Sequence, residues 1–214
     1  MTRRTQADRR AATRTAIVTA ARELFTEHGY HGCSIDAILD RAGSSKGAFY
    51  HHFSDKAAVL EALLTDFEEE GVRRAREWSA GVSSPLEIMR VSARNLLDWC
   101  TDPYIRQVVL TDALSVLGFT RWHQIDDRYT LDVLDHLLQR GVAAKQVRPM
   151  PSTRMTARLI IAAINEAALF VANAVDVDAA RAEALASIDF MITSIAAPGP
   201  AGRRVNRKSS ILSQ

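Results

Sequence analysis

The sequence predicts an all-α fold with a three-helix N-terminal domain and a larger C-terminal helical domain. Apolar residues recur with helical spacing along most of the chain, and no stretch alternates with a period of two for long enough to indicate a strand. Glycines and prolines interrupt the pattern where helices are expected to end. About nine helices are expected in the 214 residues.

Three helices are predicted in the N-terminal domain. An amphipathic helix ends at Gly29, where the periodic pattern stops. A second, shorter helix follows Ser34, a good N-cap residue, and ends at Gly43. The third follows Ser45 and carries two phenylalanines four residues apart, which would form its inward face.

The rest of the chain predicts six longer helices, over residues 55–80, 85–100, 103–118, 121–141, 153–174 and 178–196. The expected organisation is a disordered basic arm (1–7), an N-terminal domain (8–60), a C-terminal domain (61–197) and a disordered basic tail (198–214).

Charge and cysteine usage limit the classes of protein to consider. Residues 1–60 hold nine Lys or Arg against six Asp or Glu, whereas residues 61–197 hold fourteen against nineteen. This distribution suggests that the N-terminal end meets a polyanion. The two cysteines cannot form a disulfide framework, and the most apolar stretch, 157–175, contains charged residues. We therefore expect a soluble cytoplasmic protein without a membrane span.

The second and third predicted helices are joined by the short segment Ala-Gly-Ser-Ser at 42–45. Two helices joined by a tight turn that contains glycine are the signature of a helix-turn-helix. In this motif the first helix braces the second, and the second enters the major groove of DNA. The same topology also suits three packed helices in an ordinary all-α protein.

The groups predicted to face DNA lie on or beside the third helix. Small side chains and free N–H groups in its first turn allow a close approach to DNA, and lysine, tyrosine and histidine side chains can reach bases or phosphates. The predicted DNA-binding residues are Ser34 (as the cap of the supporting helix), Ser45, Lys46, Gly47, Ala48, Tyr50, His51 and Lys56.

The segment 34–56, SIDAILDRAGSSKGAFYHHFSDK, resembles the N-terminal domain of the tetracycline-repressor (TetR) family. The likeness includes Ala-Gly before the turn and Lys-Gly-x-Phe-Tyr-x-His-Phe through the recognition helix. Upstream, Ala-x-x-Leu-Phe-x-x-x-Gly-Tyr over 21–30 matches the end of the family's first helix. Two positions depart from the pattern: Leu39 stands where alanine is usual, and Ser44 where valine is usual.

By architecture the resemblance extends to the whole chain. It implies a homodimeric transcription repressor that binds a palindromic double-stranded operator and is released by an unidentified small-molecule effector. No cofactor, metal or membrane partner is implied.

The resemblance also implies an effector pocket among the C-terminal helices. Asn165 and Glu166 lie in an otherwise apolar helix, where buried polar groups need partners. The predicted pocket residues are Trp99, Tyr104, Val108, Asp112, Trp122, Tyr129, Asn165, Glu166 and Phe170.

The last two helices carry broad apolar stripes, and in the family the equivalent helices pair with their copies in the dimer. The predicted interface residues are Leu159, Ala163, Phe170, Leu185, Ile188, Ile192 and Ile195.

Other interpretations of the sequence are weaker. His28, His31 and Cys33 could suggest a metal site, but Gly29 ends the helix between them and no fourth ligand follows at zinc-like spacing. The run Glu68–Glu70 is expected to be a solvated face, because consecutive helix positions do not face one another. With no motif for nucleophilic, phosphate or zinc chemistry, an enzyme is not expected.

Two further alternatives stay open at this point. One is a helix-turn-helix DNA-binding protein without ligand gating, acting as an activator or an architectural protein. The other is an all-α enzyme or interaction module without a role on DNA.

Overall fold

The computed structural model describes residues 5–198, and it confirms the all-α fold. The helices are α1 (Gln6–His28), α2 (Ile35–Ala42), α3 (Lys46–His52), α4 (Lys56–Trp78), α5 (Pro85–Trp99), α6 (Ala113–Ala143), α7 (Thr153–Ala172) and α8 (Val177–Ser194). A π-helical segment, Ile105–Asp112, leads directly into α6. Within residues 5–198 no strand forms, and a single isolated β-bridge joins Val147 to Ala196.

Helix α6 contains a sharp break at Gly118. This residue has φ +74° and ψ 159°, a conformation that favours glycine and interrupts the helix. The break agrees with the prediction of separate helices on either side of it. If the stretches before and after Gly118 are counted separately, residues 5–198 hold nine helical stretches.

Helix α1 begins inside the arm 1–7 that was expected to be disordered. Thr5 and Asp8 form a capping box, in which Asp8 N donates to Thr5 Oγ1 (3.2 Å) and Thr5 N donates to Asp8 Oδ2 (2.9 Å). This cap starts the helix at Gln6 although no large apolar residue marks its first turn. The rest of the predicted arm, residues 1–4, and the basic tail from residue 199 lie outside the described residues.

One hydrophobic core runs from the N-terminal helices into the C-terminal domain. Phe25, Phe49 and Leu60 are fully buried in it, together with Leu97 and Ile125 of the C-terminal domain. Helix α4 connects the two parts, because its 23 residues cross the predicted boundary at residue 60. A change in the position of α4 would therefore be felt at both ends of this core.

A second core cluster lies between α5, α6, α7 and α8 and includes Leu138, Ile160 and Ile192. Helix α7 is long and apolar enough to cross a membrane by composition, with a mean hydropathy of 1.6. In this structure it packs against α6 and α8, as the core helix of a globular domain does.

Candidate nucleic-acid interface and ligand cavity

The turn between α2 and α3 is built by one glycine and two serine caps. Gly43 has φ +59°, a left-handed conformation that ends α2 and that side chains rarely adopt. The hydroxyl of Ser34 accepts from Ala37 N (3.1 Å), and the hydroxyl of Ser45 accepts from Ala48 N (3.3 Å). These caps fix where both helices begin, and they confirm the predicted capping role of Ser34.

The hydroxyl of Ser44, inside the same turn, does not use its hydrogen-bonding capacity. Its hydroxyl oxygen is buried and has no hydrogen-bond partner among residues 5–198. A buried hydroxyl without a partner destabilises the folded state. At this position the TetR pattern has valine, an apolar residue that would leave no such group.

Helix α3 has an inward and an outward face. Phe49 and Phe53 are buried, with their ring centroids 5.8 Å apart, and fix the helix on the domain core. Lys46, Gly47 and Tyr50 are exposed on the other side, and Tyr50 keeps 59% of its surface accessible. The first turn of α3 can therefore approach another molecule without any rearrangement of the core.

Two predicted contact residues have partners within the protein. Lys46 Nζ lies 3.0 Å from Asp36 Oδ1, and this hydrogen bond raises the pKa of Lys46. Both side chains are well exposed, so the pair contributes little to stability and Lys46 can exchange Asp36 for a phosphate. On α3, His51 Nε2 accepts from Arg10 Nε at 2.9 Å.

The Arg10–His51 contact shows that the start of α1 lies beside α3. A groove between the two helices is lined by Gln6, Arg9, Arg10, Thr13, Gly47, Ala48, His51 and His52. Of these α1 residues, Gln6 fell within the predicted disordered arm, and Arg9, Arg10 and Thr13 precede the apolar stripe of the first helix, so none was predicted to face DNA. The pattern Thr-x-x-Asp at 5–8 was the signal that could have found them.

Lys56 does not have the free side chain that a phosphate contact needs. Its ammonium donates to the carbonyls of Tyr30 (2.7 Å) and Cys33 (2.6 Å) and lies 4.0 Å from the centroid of the Tyr30 ring. The predicted role on DNA is therefore corrected. Lys56 braces the connection between α1 and α2 from the start of α4, because that connection leaves two carbonyls without helix partners.

The C-terminal domain encloses a cavity of about 240 Å³. Its walls come from α4 to α8 and the π-helical segment, and they are mostly apolar. Its aromatic and polar wall residues include Phe67, Glu68, Arg76, Trp78, Cys100, Trp122, Asp126 and Asn165. An apolar cavity with a few converging polar groups is typical of a small-molecule site.

Glu68 is the most unusual residue in the cavity wall. It is 6% exposed and forms no hydrogen bond or ion pair with residues 5–198. Burial, and the neighbouring Asp126, raise the pKa of Glu68 well above its usual value. The expectation that Glu68–Glu70 forms a solvated face is thus wrong for Glu68, because this side of α4 faces the other helices.

Asp126, on α6, is 3% exposed, and unlike Glu68 it has hydrogen-bond donors beside its carboxyl group. It accepts from the Thr130 hydroxyl (2.8 Å) and from Asn165 Nδ2 (2.6 Å). Burial nevertheless raises its pKa. Asn165 therefore joins α7 to α6 at the cavity wall.

Of the nine predicted pocket residues, Trp122 and Asn165 line the cavity. Three others belong to the first hydrophobic core or pack against it. Trp99 stacks behind the cavity residue Phe67, with ring centroids 4.6 Å apart. The hydroxyl of Tyr104 donates to the Leu63 carbonyl, and Val108 is fully buried in apolar packing. These positions are core, as apolar periodicity alone would also require.

The other four predicted pocket residues also lie outside the cavity wall. Asp112 accepts from Tyr30 N (2.8 Å), so it braces the α1–α2 connection. The Tyr129 hydroxyl donates to a carboxylate on the outer side of α4. Glu166 and Phe170 are exposed. Because successive helix residues point about 100° apart, Glu166 faces away from the side on which Asn165 meets Asp126.

The outer face of α7 and α8 differs from the predicted interface. Ile188 and Ile192 are buried inside the chain, so they cannot form the exposed stripe that was expected of them. Leu159 and Phe170 are exposed, and Phe190, which was not predicted, is 76% exposed. The remaining three predicted residues are half-buried: Ala163, Leu185 and Ile195.

Comparison with known protein families agrees with this architecture. The model described as "Bacterial regulatory proteins, tetR family" matches residues 17–63. The model described as "Tetracyclin repressor-like, C-terminal domain" matches residues 86–195, more than half of the chain. The chain belongs to the TetR family. It is therefore a helix-turn-helix DNA-binding transcription regulator, of a family of regulators rather than of enzymes.

Relatives of this TetR-family chain include named regulators. The HTH-type transcriptional regulator UidR of Escherichia coli is 41% identical over 70 residues, which are 33% of this chain and 36% of UidR. The chain thus spans about a third of that relative. The repressor AcnR of Corynebacterium glutamicum is 35% identical over 128 residues, which cover 51% of this chain and 65% of AcnR.

Solved structures of TetR-family regulators share the fold. A regulator from Pectobacterium atrosepticum superposes with a TM-score of 0.80 at 27% identity, covering 92% of this chain and all of that one. FadR from Bacillus subtilis, solved with stearoyl-CoA, gives 0.66 at 21% identity, covering 81% of this chain and 96% of FadR. RolR, solved with resorcinol, gives 0.67 at 21% identity, covering 91% of this chain and 99% of RolR.

Proposed function

We propose that this regulator is a cytoplasmic repressor that binds a palindromic operator as a homodimer and leaves it when a small molecule occupies the cavity. The observation that carries the proposal is the outward face of α3. Its exposed first turn lies beside basic residues of α1, on a helix whose inner face is fixed in the core.

On DNA, the first turn of α3 would enter the major groove. Gly47 supports a close approach, because a Cβ built at this position meets no protein atom within 4 Å. Lys46 would exchange Asp36 for a phosphate or a guanine, and Tyr50 would reach the sugar–phosphate backbone. Arg10 would contact a phosphate on the flank of the groove, since it already lies against His51.

A dimer would use the outer face of α7 and α8. Leu159 and Phe190 keep 57% and 76% of their surfaces accessible, an arrangement that favours an apolar partner surface. A two-fold pairing of this face would present two copies of α3 to successive major grooves, about 34–36 Å apart.

The cavity supports ligand control because α4 belongs to both sites. Residues of α4 between Phe67 and Trp78 line the cavity, while Leu60, near the start of α4, packs in the core of the N-terminal domain. A ligand that fits one position of α4 better than another would shift the equilibrium between a DNA-binding and a released state. That FadR and RolR, which share the fold, were solved with small molecules supports this reading.

Titration of operator DNA with three variants tests the proposal. Lys46→Ala and Tyr50→Ala should each weaken operator binding roughly tenfold or more, as expected for loss of a specific contact. Arg94→Ala removes an exposed basic side chain on α5 and should leave the affinity unchanged. Unchanged binding by both α3 variants would refute the assignment of the recognition helix. If the protein binds the operator but no compound releases it from the DNA, ligand control would be refuted and DNA binding by α3 would stand.

A further inference from the structure

We propose that the cavity takes an apolar cation, that is, a small molecule with an ammonium or amidinium group on an aromatic or aliphatic body. This proposal rests on the proposed function, because it names the chemical class of the effector. It rests on Glu68, which lies in the cavity wall and whose carboxyl group has no hydrogen-bond or ion-pair partner among residues 5–198.

Glu68 requires an explanation that the fold does not supply. The carboxyl group of a buried glutamate usually has a hydrogen-bond donor or a cation beside it, and Glu68 is only 6% exposed. Glu68 has none among residues 5–198, although the nearby Asp126 has both Thr130 and Asn165. A ligand that donates hydrogen bonds at Glu68 would complete the site.

The charges around the cavity favour a cationic ligand over an anionic one. Of the wall residues in the described chain, the titratable ones are Glu68 and Arg76 on α4, Cys100 after α5 and Asp126 on α6. Arg76 is exposed and two helical turns from Glu68, so it does not neutralise the acidic end. A cation can form an ion pair with Glu68 or Asp126 and stabilise its charged form, whereas an anion gains no such pair at this end of the cavity.

The rest of the wall suits an apolar body. Phe67, Trp78 and Trp122 contribute aromatic surface, which also favours cations over their ring faces. A cavity of about 150 Å³ holds benzene, so about 240 Å³ accommodates a ring with a short alkyl chain. A hydrophilic cation would lose its hydration without gaining contacts on these walls.

Proton release accompanies the binding of such a ligand. Without a ligand, burial raises the pKa of Glu68 and favours the neutral carboxylic acid. Burial also raises the pKa of Cys100 to about 12, so the Cys100 thiol stays protonated. When a cation binds, the O–H bond of Glu68 breaks, the carboxylate stays paired with the ligand, and the proton passes to the buffer. Binding heat should therefore depend on the ionisation enthalpy of the buffer.

Three ligands of one shape test the proposal: 4-phenylbutylammonium, 4-phenylbutan-1-ol and 4-phenylbutanoate. We expect calorimetry to show the cation binding roughly tenfold or more tightly than the alcohol, and the anion most weakly, because charge-assisted hydrogen bonds are the stronger ones. Glu68→Gln should remove this preference and the proton release while leaving alcohol binding within about twofold. Glu69→Gln, an exposed neighbour, should behave as the unaltered protein.

The outcomes separate this inference from the proposed function. Equal binding of the cation and the alcohol, or a cation affinity unchanged in Glu68→Gln, would overturn the cationic class and leave the effector cavity standing. Absence of binding by all three compounds would also overturn it. If the cation binds through Glu68 but does not release operator DNA, the ligand class holds and the effector role fails.

Discussion

Replacing Lys56 by methionine should destabilise the protein without removing a DNA contact. The change keeps the aliphatic part of the side chain but removes the two hydrogen bonds to the carbonyls of Tyr30 and Cys33, at 2.7 and 2.6 Å. Hydrogen bonds that involve a charged group contribute about 1.5–3 kcal/mol each. Since Lys56 is half-exposed and partly screened by water, we expect a total loss of about 2–3 kcal/mol in the free energy of unfolding.

Lys46→Met is the matched comparison. Lys46 pairs with Asp36 on the surface, so its loss should leave the free energy of unfolding nearly unchanged. It should instead remove about one phosphate contact from the complex with the operator. The plot of log K against log salt concentration should then be less steep by about 0.9. Lys56→Met should leave that slope unchanged.

Urea unfolding followed by circular dichroism measures the first effect, and operator titration at several salt concentrations measures the second. Unaltered stability in Lys56→Met together with a reduced salt slope would show that Lys56 contacts phosphate. The interpretation of its contacts with Tyr30 and Cys33 as a brace would then be wrong.

Three further predictions concern single positions. Ser44→Val should raise the free energy of unfolding by about 1 kcal/mol in urea unfolding, because it replaces a buried hydroxyl without a partner; a destabilised variant would contradict this. Gly47→Leu should keep the melting temperature, since its Cβ points into open space, but weaken operator binding roughly tenfold or more; unaltered affinity would mean that this side of α3 does not approach DNA. Leu159→Glu should shift the protein toward monomer in sedimentation analysis, whereas Phe119→Glu, at another exposed apolar position, should not; a dimer in both would place the interface elsewhere.

The helix-turn-helix could be predicted from the sequence because its determinants are local. A glycine with a left-handed conformation and serines that cap the next helix act within three or four residues of their own positions. The start of α1 was missed although its signal is equally local. Thr5 and Asp8 form the cap, but the first large apolar residue of the helix, Ile17, comes only nine residues after Asp8.

The cavity could be anticipated as a feature of the C-terminal domain, but its wall could not be assigned. Asn165 and Glu166 are adjacent and both polar, and their opposite environments depend on which side of α7 packs against α6. Glu68 looks like its two glutamate neighbours in the sequence. Only the packing of distant helices around α4 shows that one of the three is buried.

The same long-range packing decides the outer face of the last two helices. Alternate sides of α8 are both apolar, so periodicity alone could not show whether Ile188 or Phe190 points outward. The structure buries Ile188 against the second core cluster and leaves Phe190 exposed. Two apolar sides on one helix therefore predict that one side is buried in the core and the other is exposed for an interface. The sequence pattern does not determine which side has which role.

Selection of bound sequences from a random DNA pool, with the full-length protein, tests the central claim most directly. We predict the enrichment of an inverted repeat with its half-sites centred about one helical turn, or a multiple of it, apart, as a two-fold dimer of α3 requires. The Lys46→Ala, Tyr50→Ala double variant should enrich no such sequence. An enriched motif without two-fold symmetry would contradict the palindromic operator. Equal enrichment by the double variant, or no enrichment by the unaltered protein, would contradict operator recognition by α3.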